Sequence, residues 1–343
     1  MIESLSHTHF RSMNSDSPQL TRRRLLKQTF AFSAAVILGQ GYRHVSAQEV
    51  AKTASHLLMI GDWGPEKEWK PQEAVARGMA AYTKDMTVKP EALFLLGDNF
   101  YGSFKGGLKN PRWKTQFEDM YPASVFPGPC YAMLGNHDYD DEPEIKLKAQ
   151  LAYAAENPGT RWTMPAKWYR MEHPQVNPLM TVLVVDSNYK NRVASLTPEE
   201  KAEQDKWLRT ELAKPRTTPW LVVMGHHPLY TNGVHGDSKT LIAAWDKLFR
   251  EHKVDFYFCG HDHDMQHMEF EGHPTSFVLS GGGGARVRDF KNGVVHGPFG
   301  QAIHGFTHLE VTQDRFVVRH IDANRKLLHA FEKDRSSKVT IVS

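Results

Sequence analysis

Cysteine is scarce in this chain. Its 343 residues contain two, Cys130 and Cys259. Two thiols, each in a predicted strand, exclude a disulfide framework and are expected to be small buried hydrophobes. An excess of one charge is also lacking. The net charge is +3, but residues 1–47 carry six basic side chains against two acidic ones, which leaves the remainder at −1. A body so near neutrality gives no electrostatic ground for binding nucleic acid or a membrane surface. No internal repeat and no low-complexity tract is present, which excludes solenoids and arrays. What is left is an ordinary globular composition, 40% hydrophobic and 11% aromatic, enough for one large core.

The basic excess belongs to a leader. Thr21-Arg22-Arg23-Arg24-Leu25-Leu26-Lys27 resembles a twin-arginine export signal. The apolar stretch 30–38 that follows is too short to span a membrane comfortably, and Val45-Ser46-Ala47 before Gln48 fits a small-residue cleavage site. Residues 1–47 are therefore expected to be a signal peptide read by the twin-arginine export machinery, and residues 48–343 one domain. The expected product is a periplasmic or secreted monomer with no stable membrane association after cleavage.

The body is organised around one arrangement that occurs five times: a short apolar run, a glycine, then a metal-loving side chain. Leu57–Ile60 leads into Gly61-Asp62, and Ala92–Leu96 into Gly97-Asp98-Asn99-Phe100-Tyr101. Tyr131–Leu134 leads into Gly135-Asn136-His137-Asp138, Leu221–Met224 into Gly225-His226-His227, and Phe256–Cys259 into Gly260-His261-Asp262-His263. Apolar runs of this length read as strands buried on both faces. Polar groups just past such strands are where open α/β sheets place their sites.

The connecting segments punctuate the strands. Residues 71–86 read as a helix with Val75, Met79 and Tyr82 at helical spacing, and residues 111–120 as a shorter one. Residues 179–185 read as a further strand. Thr197-Pro198-Glu199-Glu200 has the form of a capping box and opens a helix to about residue 213, and Asp237 or Ser238 is expected to cap another through residue 250. Residues 277–279 form a strand, and the four glycines after Ser280 imply close backbone approach to the wall of a site. Residues 308–312 and 315–321 read as a closing hairpin at a half-exposed sheet edge. The acidic run 140–144 reads as a solvated face or helix start. His267, His273, His296 and His304 read as surface or loop histidines. The alternation of strand and helix is not strict, so mixed sheets are expected: an α/β (α+β) fold in which two mixed sheets pack face to face between helices, with the site at the strand C-terminal ends.

Asp62, Asp98 and Tyr101 offer three anionic oxygens and His263 a nitrogen, a hard donor set that suits ferric iron. Asn136, His226 and His261 are neutral and, sharing Asp98, suit a divalent ion such as iron, zinc or manganese. A bridging Asp98 would hold the two ions about 3.5–4 Å apart, the spacing used to clamp a transferring phosphoryl group.

In this order the five blocks resemble the signature of the purple acid phosphatases, within the calcineurin-like metallophosphoesterases. Arg161–Pro165, Trp168-Tyr169-Arg170 and His235-Gly236 are similar to segments of the small tartrate-resistant type. The first block, Asp62-Trp63-Gly64, lacks the histidine two residues past the aspartate that is common in the wider superfamily, and Tyr101, three residues past Asp98, can replace that missing ligand. The resemblance implies a four-layer αββα sandwich and hydrolysis of phosphate monoesters at mildly acidic pH. It implies a ferric–divalent pair and attack by a metal-bound hydroxide. His137, His235 and Asn136 would contact the small-molecule phosphate ester, the histidines also protonating the leaving group. Phosphodiester cleavage at the same centre is the alternative. Asp138, Asp262 and Asp264 are candidates to orient the ligand histidines. His227 and Trp63 are expected to be structural, and Arg161 and Trp162 either line the cleft or pack.

Overall fold

All five glycine-terminated runs become strands. The computed structural model describes residues 51, 53–87, 89–189 and 195–343. The proposed leader lies outside the described residues. Among these, fifteen strands are present. In chain order they are β1 (Ser55–Ile60), β2 (Ala92–Leu95), β3 (Cys130–Ala132), β4 (Trp162–Thr163), β5 (Tyr169–His173), β6 (Met180–Val184), β7 (Trp220–Met224) and β8 (Phe256–Cys259). There follow β9 (Met265–Met268), β10 (Ser276–Ser280), β11 (Pro298–Gln301), β12 (Gly305–Val311), β13 (Arg315–Asp322), β14 (Leu327–Asp334) and β15 (Val339–Ile341).

They form two mixed sheets, in the order β15-β14-β13-β12-β1-β2-β3-β4 and β11-β9-β10-β8-β7-β6-β5. In the first, β1 to β4 are mutually parallel, and β12 joins β1 antiparallel. In the second, β6, β7, β8 and β10 are parallel. The parallel centres bring the C-terminal ends of β1, β2, β3, β7 and β8 to one rim. Gly61 donates to the Ser280 carbonyl across the two sheets at 2.7 Å, which fixes their separation at that rim.

The alternation along β7 shows how the layers are built. Trp220, Val222 and Met224 face a core shared with β1, β2, β3 and β12, whereas Leu221 and Val223 join a second core under helices. Every one of these side chains is buried. A side chain of this kind contributes about 1.5–3 kcal/mol when taken from water, so the strands could not sit at a wetted face. Helix α1 (Lys70–Met86) covers the first sheet: its buried Val75, Met79 and Tyr82 recur at helical spacing, and Tyr82 meets His308 of β12 at 3.0 Å. Helix α2 (Pro143–Glu156) follows the acidic run, and helix α3 (Pro198–Leu212) covers the second sheet. The capping box of α3 forms as expected, with Thr197 and Glu200 bonded reciprocally. Ser238 caps a helical stretch that changes from α (Lys239–Leu241) to π (Ile242–Asp246) and back (Lys247–Glu251). The short helix near residue 111 is also of π type, Trp113–Glu118.

Two expectations are corrected, and one left open is decided. The pair β12 and β13 is not a half-exposed edge. β12 is buried throughout and β13 from Phe316 onward, with β14 and β15 lying outside them. Their polar positions face partners rather than water: Glu310 is buried against Arg319 at 3.0 Å, and His308 lies between Tyr82 and His56. His267 and His273 are buried too. His267 sits on β9 between Glu269 (2.7 Å) and His329 (3.0 Å), and His273 meets Asp246 at 3.0 Å. Arg161 and Trp162 are buried in packing, bonded to the carbonyls of Phe126 and Gln150. Cys130 and Cys259 are free and buried.

Candidate metal centre

Backbone geometry at the rim is unusual in the same places as the chemistry. Asp62 (φ 58°), Asp98 (φ 50°) and His261 (φ 72°) each adopt left-handed conformations directly after a strand and its glycine. Non-glycine residues rarely do so, and when they do the surroundings must hold them there. The holding contacts are present. His261 N donates to Asp62 Oδ2 at 2.9 Å, and His137 N to Asp98 Oδ1 at 2.7 Å. The glycine run after β10 packs on the Asp62 turn: Gly283 N donates to the Gly61 carbonyl and Ala285 N to that of Asp62. A Cβ on Gly281 would collide with the Asp262 carbonyl, so the close approach expected of this run is required there.

The seven expected donors converge from both sheets. Tyr101 Oη donates to Asp62 Oδ1 at 3.1 Å and lies 3.1 Å from His263 Nε2, which is itself 3.5 Å from Asp62 Oδ1. His226 Nε2 lies 3.3 Å from Asn136 Oδ1, 3.4 Å from Asp98 Oδ2 and 4.0 Å from Asp62 Oδ1. The His261 ring lies 5.3 Å from that of His226. One donor atom each from Asp62, Asp98 and His226 falls within 4.8 Å of the others, and likewise from His226, His227 and His261. His227 thus adds a donor that was expected to be structural, although its Nδ1 is engaged by Ser187 Oγ at 2.8 Å.

These residues fit metal ions. Ligands about 2.1 Å from one ion and at right angles stand about 3 Å apart, close to the spacings observed here. Asp98 Oδ2 is buried without a hydrogen-bond partner, an expensive state unless a cation answers it. Burial opposes a charge on His226, but Asp98 and Asp62 outweigh it and raise its pKa to about 10, so negative charge dominates the pocket. Burial pushes Asp62 up, and burial with the two carboxylates pushes Tyr101 well up. Burial, opposed by the hydrogen bond to the Arg286 carbonyl and aided by the charge of Arg288, lowers His263 to about 4, and burial with neighbouring histidines holds His261 well down. Neutral imidazole is the form that ligates metal.

Two of the ligand histidines, His226 and His263, are oriented by backbone carbonyls rather than by the three aspartates considered for that role. His226 Nδ1 meets the Leu96 carbonyl and His263 Nδ1 the Arg286 carbonyl, each at 2.8 Å. Asp138 instead ties turns together, accepting from the N–H groups of Gly135, Asn99 and Phe100. Asp264 accepts from Gln266. Asp262 does orient a histidine, but it is His235, whose Nδ1 lies 2.6 Å away. Thr231 donates to the other oxygen of Asp262 at 2.6 Å. The His235 ring lies tilted 4.2 Å from that of His261, and the His137 ring 4.3 Å from that of Tyr101, so both flank the donors. His137 Nδ1 is paired with Asp140 at 2.7 Å, which gives part of the acidic run a task that its sequence did not reveal. Arg112 is a second residue without a sequence signal. It donates to the carbonyls of Tyr101 and Gly64, clamping the tyrosine turn to the Asp62 turn. Trp63 packs beneath the site with its indole N–H on Asn99.

A family model described as calcineurin-like phosphoesterase matches residues 55–265. Tartrate-resistant acid phosphatase type 5 of Sus scrofa is 28% identical over 304 residues, covering 82% of this chain and 87% of that protein. Purple acid phosphatase 17 of Arabidopsis thaliana is 28% identical over 293 residues, covering 81% and 85%. Among solved structures, purple acid phosphatase PPD1 from yellow lupin seeds aligns with a TM-score of 0.63 at 16% identity, over 83% of this chain and 54% of that one. GAP50, the anchor in the inner membrane complex of Plasmodium, aligns at 0.67 and 22% identity, over 81% and 87%. At such identities these two structures share the fold alone, and chemistry must be argued from the donors.

Proposed function

This chain belongs to the calcineurin-like phosphoesterase family and hydrolyses phosphate esters, and from that premise we propose that it is a phosphomonoesterase with a ferric–divalent centre, working at mildly acidic pH. Asp62, Asp98, Tyr101 and His263 would hold the ferric ion. Asp98, Asn136, His226 and His261 would hold iron, zinc or manganese in the divalent state. Bound there, such a pair lowers the pKa of water and polarises the phosphoryl oxygens. The observation that carries the reading is Tyr101, whose hydroxyl stands 3.1 Å from both Asp62 and His263 rather than in packing.

The chain's own groups then account for binding and proton movement. Asn136 and His137 would contact the phosphate. His235, fixed through Nδ1 by Asp262, and His137, fixed by Asp140, would protonate the leaving alkoxide. A histidine that gives a proton must first carry one, which favours mild acidity. The leader supports export of the folded protein by the twin-arginine route to the periplasm or beyond, as a monomer cut after Ala47, leaving residues 48–343 as the metallophosphoesterase domain. Among the described residues no helix is long and apolar enough to cross a membrane.

Metal analysis and a visible spectrum of the folded, loaded protein test the assignment. A charge-transfer band is expected, and Tyr101→Phe should abolish it. A colourless, iron-free protein with full activity would refute the ferric centre. Rates on 4-nitrophenyl phosphate well above those on its bis ester separate this reading from a diesterase.

A further inference from the structure

Strand β6 runs parallel to β7 and ends at the same rim, yet the turn after it carries none of the expected metal donors. The register pairs Val184 with Met224, so Asp186-Ser187-Asn188 emerges beside the turn that holds His226 and His227. This turn is clamped. Gln204 of α3 accepts from the Asp186 N–H at 2.7 Å and donates to the Asp186 carbonyl at 2.9 Å. The Asp186 carboxylate accepts from Asn188 through one oxygen and from Tyr139 through the other. The clamp holds a buried serine in place: Ser187 Oγ lies 2.8 Å from both the backbone N and the Nδ1 of His227. Tyr257 Oη donates to the His227 carbonyl at 2.7 Å, so this histidine is held at backbone and ring.

The hydrogen-bond roles fix the tautomer. A serine hydroxyl has one hydrogen to give. Ser187 Oγ accepts the His227 N–H, and among the described residues it has no partner besides His227. With the ring proton on Nδ1, Oγ would face two N–H groups, and its own hydrogen would be buried without an acceptor, which is costly. The hydroxyl therefore donates to Nδ1, and the ring proton sits on Nε2. A ring nitrogen that bears a proton has no lone pair for a metal, so His227 offers a hydrogen bond there instead. Among the described residues Nε2 meets no acceptor. The ring lies 4.3 Å from that of His261 and 5.0 Å from that of His226, and one ring nitrogen of each of the three falls within 4.8 Å of the others. An N–H without an acceptor, that close to two donors of the divalent site, suits an anionic oxygen bound at that site.

We propose that His227 is a further catalytic residue, whose Nε2–H donates to an oxygen of the phosphoryl group held beside His226 and His261, and that Ser187 is the positioning residue that sets its tautomer. This rests on the phosphatase reading above. The proton stays on Nε2 throughout. It offsets charge on the phosphoryl oxygen, and because the ring is already fixed by Ser187 no reorientation is needed when substrate arrives. The clamp on Asp186 is then part of the site, reaching the phosphoryl group through Ser187 and His227.

The test measures binding of inorganic phosphate to the metal-loaded protein by calorimetry, with metal content determined on the same samples. In His227→Phe the dissociation constant is expected to rise about tenfold, as for loss of one hydrogen bond to a charged group, with metal content unchanged. KM for 4-nitrophenyl phosphate should rise with it. His227→Gln, whose amide can present an N–H, should recover part of the affinity. Ser187→Ala should weaken phosphate binding without loss of metal, and Ser187→Thr, which keeps the hydroxyl, should bind as the parent does. Phosphate affinity in His227→Phe within about twofold of the parent would overturn the proposal while leaving the phosphatase reading standing. Loss of a metal equivalent from that variant would overturn it too, since His227 would then be a ligand. Failure of the loaded parent protein both to bind phosphate and to cleave 4-nitrophenyl phosphate would overturn both readings.

Discussion

At the scale of single residues, the candidate centre is bordered by pairs in which one side chain lies beside the expected metal donors and the other fixes it. His235 and Asp262 are the sharpest case. The carboxylate is buried, which raises its pKa, but the hydrogen bonds from His235 and Thr231 outweigh burial and hold it below the usual range. Asp262→Asn keeps the size but can present an N–H to Nδ1, which turns the ring to the wrong tautomer. It should lower kcat about ten- to a hundredfold, as loss of an orienting partner does, while leaving metal content and colour in place. Equal loss of iron in that variant would show that Asp262 supports the ions instead. Pairs of this kind are poorly legible in sequence. Asp62, Asp98 and the histidines announce themselves after glycine, whereas Asp140 sits in an acidic run and Arg112 in an ordinary loop. Their roles depend on distance alone.

At the scale of elements, legibility followed burial. Strands β1, β2, β7 and β8 are apolar on both faces because helices cover one face and the opposite sheet the other, and this leaves a mark in the sequence. Helix α2 leaves none, since four of its inward positions are Lys146, Ala149, Gln150 and Tyr153. Its work is polar: Lys146 Nζ meets the His137 carbonyl at 2.7 Å, and Gln150 bonds both Asn99 and Asp138. Strand β14 is masked in the same way, by the buried Lys333 and His329. Asp138 is where these elements meet, joining the turns after β2 and β3 to α2. Asp138→Ala strands several buried N–H donors and should cost about 3 kcal/mol or more, read as a fall in denaturant midpoint at unchanged slope. Asp138→Asn, which keeps one acceptor, should cost less. Equal losses would show that the contacts made through the second oxygen decide the stability.

At the scale of the whole molecule, the space between and around the sheets holds an uncommon number of buried histidines. Burial, reinforced by Arg319 and His56 for His308 and by His329 and His267 for His320, pushes both pKa values well down. Burial with His267 lowers His329 to about 3. The unfolded chain takes up protons at these sites from about pH 6.5 downward, and the folded protein does not. Because the unfolded state then binds more protons, this contribution to stability is complete above about pH 6.5 and declines as the pH falls toward about 3. The melting temperature should drop between pH 7 and 5, and His329→Phe should flatten that slope. A slope unchanged by the substitution would move the cause to other groups. The two-sheet architecture and the rim position of the centre were legible because they depend on the parallel strands. The C-terminal strands were misread as an edge because their polar faces look outward until α1 and β14 are known to cover them.

The donors come from two leaves: Asp62, Asp98, Tyr101 and Asn136 follow strands of one sheet, and His226, His261 and His263 follow strands of the other. Ions clasped between them would act as a rivet through the seam of the sandwich. Neither leaf possesses a complete donor set, so an ion bound there would tie one sheet to the other along the edge where the chemistry is done.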